Sequence, residues 1–163
     1  MHKKFEIRTA TIHDVPLILS FIKELAEYEK LLHEVAATEE ILRETLFGEN
    51  ANCKVIFGYL DDQAVSFALY FYNFSSFLGR PGIYLEDIYV KPELRNKGIG
   101  KKMLRYVAQL AKKNNCGRLE WSVLDWNEPA IKFYHSIGAI SMDEWTVQRV
   151  TDSALDVLAT LEE

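Results

Sequence analysis

Ile83-Tyr84-Leu85-Glu86-Asp87-Ile88-Tyr89-Val90, then Lys91-Pro92-Glu93-Leu94, then Arg95-Asn96-Lys97-Gly98-Ile99-Gly100 and on to Ala111 is the stretch around which the chain is organised. The first eight residues are rich in β-branched and aromatic types and are closed by Pro92, so they read as a strand. From Ile99 the period changes. Ile99, Met103, Val107 and Ala111 recur at helical spacing with Leu104 and Ala108 beside them, and Lys101, Lys102, Lys112 and Lys113 fall off that face. A turn with glycines at 98 and 100 and cations at its flanks joins strand to helix.

The turn suits an anion. The first backbone N–H groups of a helix have no partner inside it and carry the positive end of the helix dipole. Glycines at 98 and 100 leave room for a diphosphate to approach the backbone, and Arg95, Lys97 and Lys101 add charge. An ordinary strand–turn–helix connection is the plainer reading of the same residues. Two nucleotide fingerprints do not fit. The Walker pattern needs four residues between its glycines, and the dinucleotide pattern needs a third glycine where Met103 stands.

Arg95-x-x-Gly98-x-Gly100 after a strand ending in Val90 resembles the acetyl-CoA pyrophosphate loop of the GCN5-related N-acetyltransferase superfamily. Tyr84-Leu85-Glu86-Asp87 and Trp126-Asn127-Glu128-Pro129-Ala130-Ile131-Lys132-Phe133-Tyr134 resemble, more narrowly, the diamine (spermidine/spermine) acetyltransferases and their thialysine-acetylating relatives. The likeness runs from Arg8 to the C-terminal helix. It implies an α/β (α+β) fold with a mixed, mostly antiparallel central sheet flanked by helices on both faces, acetyl-CoA as cosubstrate, no metal, and a homodimer.

Composition is compatible with that. The 163 residues are 48% hydrophobic and 26% charged, the profile of one globular domain, taken here as 1–163. No run of 18 apolar residues is present and the first residues lack an apolar signal core, so a cytoplasmic location without membrane contact is expected. A net charge of −5 argues against nucleic acid and favours a cationic partner. Cys53 and Cys116 read as free thiols, and the four histidines make no metal motif.

Outward from the centre, Phe5 to Thr9 reads as a strand, Thr11 to Asp14 as a capping box, and Val15 to Glu29 as an amphipathic helix. Thr38 caps a second helix that Gly48 ends. Strands from Cys53 to Leu60 and Ala64 to Asn73 flank an Asp61-Asp62-Gln63 hairpin. Phe71, Tyr72, Phe74 and Phe77 are expected mostly in the core, and Gly79-Arg80-Pro81-Gly82 as a turn. Cys116-Gly117 stops the central helix, and Leu119 to Val123 alternates as a strand. Asn127 caps a short helix that ends at Gly138. Ala139 to Met142 and Trp145 to Val150 read as the last strands, and Asp152 as the cap of a final helix.

The chemistry implied is acetyl transfer from a thioester to a primary amine. The amine must lose a proton, since an alkylammonium titrates near ~10. The tetrahedral oxyanion needs a donor, and the departing thiolate is helped by an acid. By the resemblance Tyr134 is the candidate acid, and Glu86, directly or through water, the candidate base. Glu86 and Asp87 are adjacent on a strand, so they are expected on opposite faces and not as a catalytic pair. An ion pair with Lys or Arg is the plainer reading of either one. Ile88, Tyr89 and Val90 would hold the acetyl carbonyl and pantetheine arm. Residues Arg95, Asn96, Lys97, Gly98, Ile99, Gly100 and Lys101 would take the pyrophosphate, and Asn127, Glu128, Pro129 and Ala130 the rest of the CoA arm. Tyr28, Glu29, Glu86, Asp87 and Glu144 would border the amine. The expected acceptor is a small di- or polyamine. Thialysine or another lysine-like amino acid, and an acyl-CoA sensor without turnover, are the alternatives.

Overall fold

The computed structural model describes residues 4–161. They form two compact units that divide after Leu124. The first carries β1 (Phe5–Thr9), α1 (Val15–Tyr28), α2 (Glu39–Phe47), β2 (Cys53–Leu60), β3 (Gln63–Ser75), β4 (Arg80–Val90), α3 (Ile99–Lys113) and β5 (Leu119–Trp121). The second carries α4 (Glu128–Ser136) and α5 (Asp152–Ala159). No helix among the described residues is long and apolar enough to cross a membrane.

The strands form one sheet in the order β1-β2-β3-β4-β5. The first three pairings are antiparallel and β4–β5 is parallel. A parallel pair needs a crossover, which α3 supplies. Alternation along the strands then makes two cores. Val55, Phe57, Phe67, Leu69 and Tyr89 pack with Val15, Ile18 and Phe21 of α1 and with Leu42 of α2. Ile56, Ala68, Ile83 and Leu85 take the other register positions and are equally buried, as are Met103, Leu104 and Val107 of α3. Phe21 anchors α1: its ring lies 5.3 Å from Phe67, 5.8 Å from Phe57 and 6.2 Å from Tyr89. That docking leaves the C-terminal end of α1 near the end of β4.

Local signals account for most element ends. The Ile41 amide donates to Thr38 Oγ1 at 3.2 Å, and the Thr11 amide to the Asp14 carboxylate at 2.7 Å. Asp61 and Asp62 have φ of 50° and 64°, the left-handed pair that a tight hairpin requires.

Six expectations are corrected. β4 begins at Arg80, so Arg80, Pro81 and Gly82 are strand and the turn lies before them. Pro81 is tolerated because its carbonyl accepts from the Gly117 amide at 2.8 Å, which turns its missing N–H toward chain ahead of β5, where no ladder has begun. β5 stops at Trp121 rather than Val123, because its last partner is Leu85 and the edge of β4 is interrupted at the next residue. The left-handed residue that ends α3 is Asn115, φ 54°, not Gly117. Thr151, not Asp152, is the cap of α5. Residues 139–142 and 145–150 form no strand: alternation shows that a segment can pair, and no neighbouring strand in the second unit pairs with it. Phe74 and Phe77 are also surface residues, 64% and 97% exposed, rather than core.

Candidate functional site

Two features meet at the C-terminal end of β4. The first is the turn into α3. Gly98 caps the helix with φ 78°, a conformation that costs a side-chain-bearing residue about 1 kcal/mol or more. Gly100 differs. A Cβ built there would meet only Val90 Cγ2, at an ordinary 3.8 Å, so packing within the protein does not demand glycine. The open space in front of it suits a ligand that comes close to the backbone at the positive end of α3. Asn96, Lys97, Gly98 and Lys101 are exposed around it, while Ile99 is buried beneath. Lys97 Nζ donates to the Glu93 carbonyl at 3.0 Å, folding its charge over the loop.

The second feature is a bulge in β4. Leu69 opposes Asp87 and Tyr70 opposes Leu85, so Glu86 is an extra residue between two successive pairs. Leu69 and its partner Asp87 lie on the α1 face, and Tyr84, opposite Phe71, lies there too. The insertion breaks the alternation that would send Glu86 and Asp87 to opposite faces. The charge of Glu86 reaches both Asp87 and the thiol of Cys53, which packs on the α1 face. The two carboxylates therefore share one face, and the expectation that they cannot act as a pair is corrected. Glu86 is exposed and Asp87 half-buried.

That pairing has an electrostatic consequence. Burial first, then the charges of Glu86 and Glu29, push the Asp87 carboxyl up to about 7. Burial also raises Glu29, which stands half-buried at the C-cap of α1. One of these acids thus holds a proton near neutrality, as like charges in one site require. A cation brought among them would relieve the repulsion and restore ionisation.

Tyr28, the last residue of α1, stacks under the Arg95 guanidinium at 4.3 Å, and Tyr89 lies 5.3 Å from the same group. Arg95 Nε donates to the Val90 carbonyl at 3.0 Å. Ile88 and Val90 occupy the register positions facing α3, and Tyr89 faces α1.

In the second unit the buried Asn127 caps α4, its Oδ1 accepting from the Ala130 amide at 3.4 Å, with Pro129 in the first turn beside Glu128. Tyr134 is half-buried in the last turn of α4, its ring 5.5 Å from Phe133. Gly138, φ 94°, follows the helix. Glu144 is exposed at a turn. Sequence reasoning missed Cys53 on the acidic face and the stack of Arg95 on Tyr28. Neither carries a local signal, since each depends on register between distant segments. Burial, then Glu86, push the Cys53 thiol up, and burial raises Cys116, so both are held as thiols at neutral pH. Among the described residues no group of histidine, cysteine or acidic side chains could hold a metal.

Residues 19–139 match the acetyltransferase (GNAT) family. Over 94% of its length the chain is 41% identical to a thialysine N-epsilon-acetyltransferase of Bos taurus, 96% of which is covered. Over 98% of its length it is 34% identical to an L-ornithine N5-acetyltransferase of Arabidopsis thaliana, 90% of which is covered. Among solved structures, an integron cassette protein of V. cholerae superposes with a TM-score of 0.80 at 32% identity, covering 96% of this chain and 98% of that one.

Proposed function

The chain belongs to the acetyltransferase (GNAT) family, and from that premise we propose that it acetylates a primary amine of a small acceptor that carries a second amino group. It is an enzyme that transfers acetyl groups, so the sensor reading is not carried further. The family match runs across Leu124 and Asp125, which supports reading residues 1–163 as one acetyltransferase domain.

Acetyl-CoA, when bound, supplies a thioester carbonyl open to attack by an amine. The residues of the chain do the rest. The turn from Arg95 to Lys101 fits a diphosphate through its amides and through the open space at Gly100. Ile88, Tyr89 and Val90 lie along the strand end where a pantetheine arm would run. Asn127 to Ala130, at the start of α4, are assigned to the CoA arm by the family likeness. Glu86 takes the proton from the acceptor ammonium, directly or through water. Asp87, raised to about 7 beside it, is assigned with Glu29 to the second ammonium of the acceptor. Tyr134 Oη gives a proton to the departing sulfur.

Gly100→Val tests the turn. Valine is a better helix residue than glycine and its Cβ fits, so the variant folds. Acetyl-CoA affinity should fall roughly 10-fold or more, the effect of about 1–3 kcal/mol of overpacking against the ligand. Unchanged affinity by calorimetry in a folded variant removes the phosphate-loop assignment.

The observation that carries the acceptor class is the shared face of Glu86 and Asp87 with Glu29 near them. Three neighbouring acids, of which Asp87 and Glu29 are raised by burial, favour a substrate with two positive charges and no negative one, which is a di- or polyamine. Thialysine or ornithine is the second reading, favoured by the substrates in the names of the two relatives. Both readings share the terminal amine and the second ammonium, and only a carboxylate separates them. Turnover measured by released CoA thiol, with a diamine set against a monoamine of equal length, tests the class.

A symmetric homodimer is part of this reading. Ile140, Trp145 and Val147 are 74–80% exposed in the second unit, an apolar set that a second copy can cover. Sedimentation at micromolar concentration should give a dimer, and a monomer contradicts it.

A further inference from the structure

We propose that Arg95 is a positioning residue for the amine acceptor, holding the end of α1 against the end of β4, and that its side chain is not a phosphate contact. The inference rests on the reading that Tyr28 and Glu29 border the acceptor. Arg95 stands first in the anion-binding turn, yet its side chain leaves that turn. It is half-buried, whereas Asn96, Lys97 and Gly98 after it are exposed. Nε donates to the Val90 carbonyl at 3.0 Å, and the guanidinium carbon Cζ lies over the Tyr28 ring, 4.3 Å from its centroid, and 5.3 Å from that of Tyr89. A planar group held at Nε by a backbone carbonyl and over a ring has a defined position, which a lysine ammonium cannot reproduce.

Each end of this contact touches the acceptor side. Val90 ends β4, the strand that carries Glu86 and Asp87. Tyr28 ends α1, and Glu29 is its next residue. Arg95 therefore sets how far Glu29 stands from Asp87, two carboxylates that already feel one another. A neighbouring cation makes a parallel tie: Lys91 Nζ lies 3.7 Å from the Glu24 carboxylate and 5.5 Å from the Phe21 ring centroid. That tie holds the middle of α1, and Arg95 holds its end. Loss of Arg95 loosens the segment that presents Glu29, while the amides from Asn96 to Lys101 remain where the backbone of the turn puts them. The acceptor loses affinity and the cosubstrate does not.

Bisubstrate kinetics on the full chain test this, with acetyl-CoA and a short diamine as the varied substrates. Arg95→Met removes charge and stacking. Arg95→Lys keeps the charge without the planar face. Both should raise the acceptor KM about 10-fold and leave the acetyl-CoA KM within about threefold, the size expected from losing a partly desolvated cation–π contact. Tyr28→Leu should do the same. Combined with Arg95→Met it should add little, because the two side chains form one contact. A rise in the acetyl-CoA KM with the acceptor KM unchanged, additive effects of the pair, or equal loss in both substrates overturns the assignment. Arg95→Lys carries the comparison if Arg95→Met does not fold. Wild-type protein that releases no CoA with any amine contradicts the acetyltransfer reading instead, so the two failures are distinct.

Discussion

Tyr134→Phe should lower kcat by roughly 10²–10⁴, the usual worth of general acid catalysis, with the acetyl-CoA KM nearly unchanged. The change removes one hydroxyl and little volume from a half-buried ring that packs beside Phe133. Helix α4 is capped by Asn127 at its other end. A loss confined to kcat therefore reports the chemical step. A thiolate that titrates near ~8.5 leaves more readily as a thiol, which is the service a tyrosine beside the sulfur supplies. Tyr134 is also placed as many structural tyrosines are, on a helix with its ring packed. Wild-type turnover in the variant would show that it is one of those, and that water or the acceptor delivers the proton.

A diamine should exceed a monoamine of equal length by roughly 10- to 150-fold in kcat/KM, from one charge-assisted contact of about 1.5–3 kcal/mol to the second ammonium. On the proposed reading, Asp87 and Glu29 make it. Asp87→Asn and Glu29→Gln should each shrink the preference, and raised salt should narrow it to the extent that the contact is exposed. The pH dependence has a definite sign. The Asp87 carboxyl is raised to about 7 in the free protein, so below that pH it is protonated and contributes no charge toward the acceptor. Above that pH it is ionised and attracts the ammonium. The preference should thus be larger at pH 8 than at pH 6, and Asp87→Asn should flatten that difference. An equal preference at both values in the wild type would place the contact elsewhere.

Much of the fold is legible in the sequence because its determinants are local. Asp61-Asp62 specify a hairpin by their tolerance of positive φ. Thr38 caps its helix through an amide three residues on. The spacing of Ile99, Met103 and Val107 predicts the buried face of α3. The candidate site is less legible, because it depends on one inserted residue. Strand alternation separates Glu86 from Asp87, and a bulge reunites them. The only trace in the sequence is two adjacent acids inside an apolar strand. Arg95 shows the same limit. Its position in the turn suggests a phosphate contact, and the packing of α1 on β4 turns its side chain toward Tyr28. The segments 139–142 and 145–150 fail for a third reason. Periodicity records the capacity to pair, and a strand exists only where a partner lies beside it.

Incubation of the purified chain with acetyl-CoA and a panel of spermidine, a short diamine, thialysine and a monoamine, followed by released CoA thiol and the mass of the acetylated product, tests the central claim directly. The expected result is one acetyl group on a primary amine of the acceptors that carry two amino groups, with the monoamine slower by roughly 10-fold or more. Faster turnover of thialysine than of the polyamine selects the amino-acid reading within that class. Turnover of the monoamine equal to the best diamine, or CoA release no faster with amines than without them, contradicts the account.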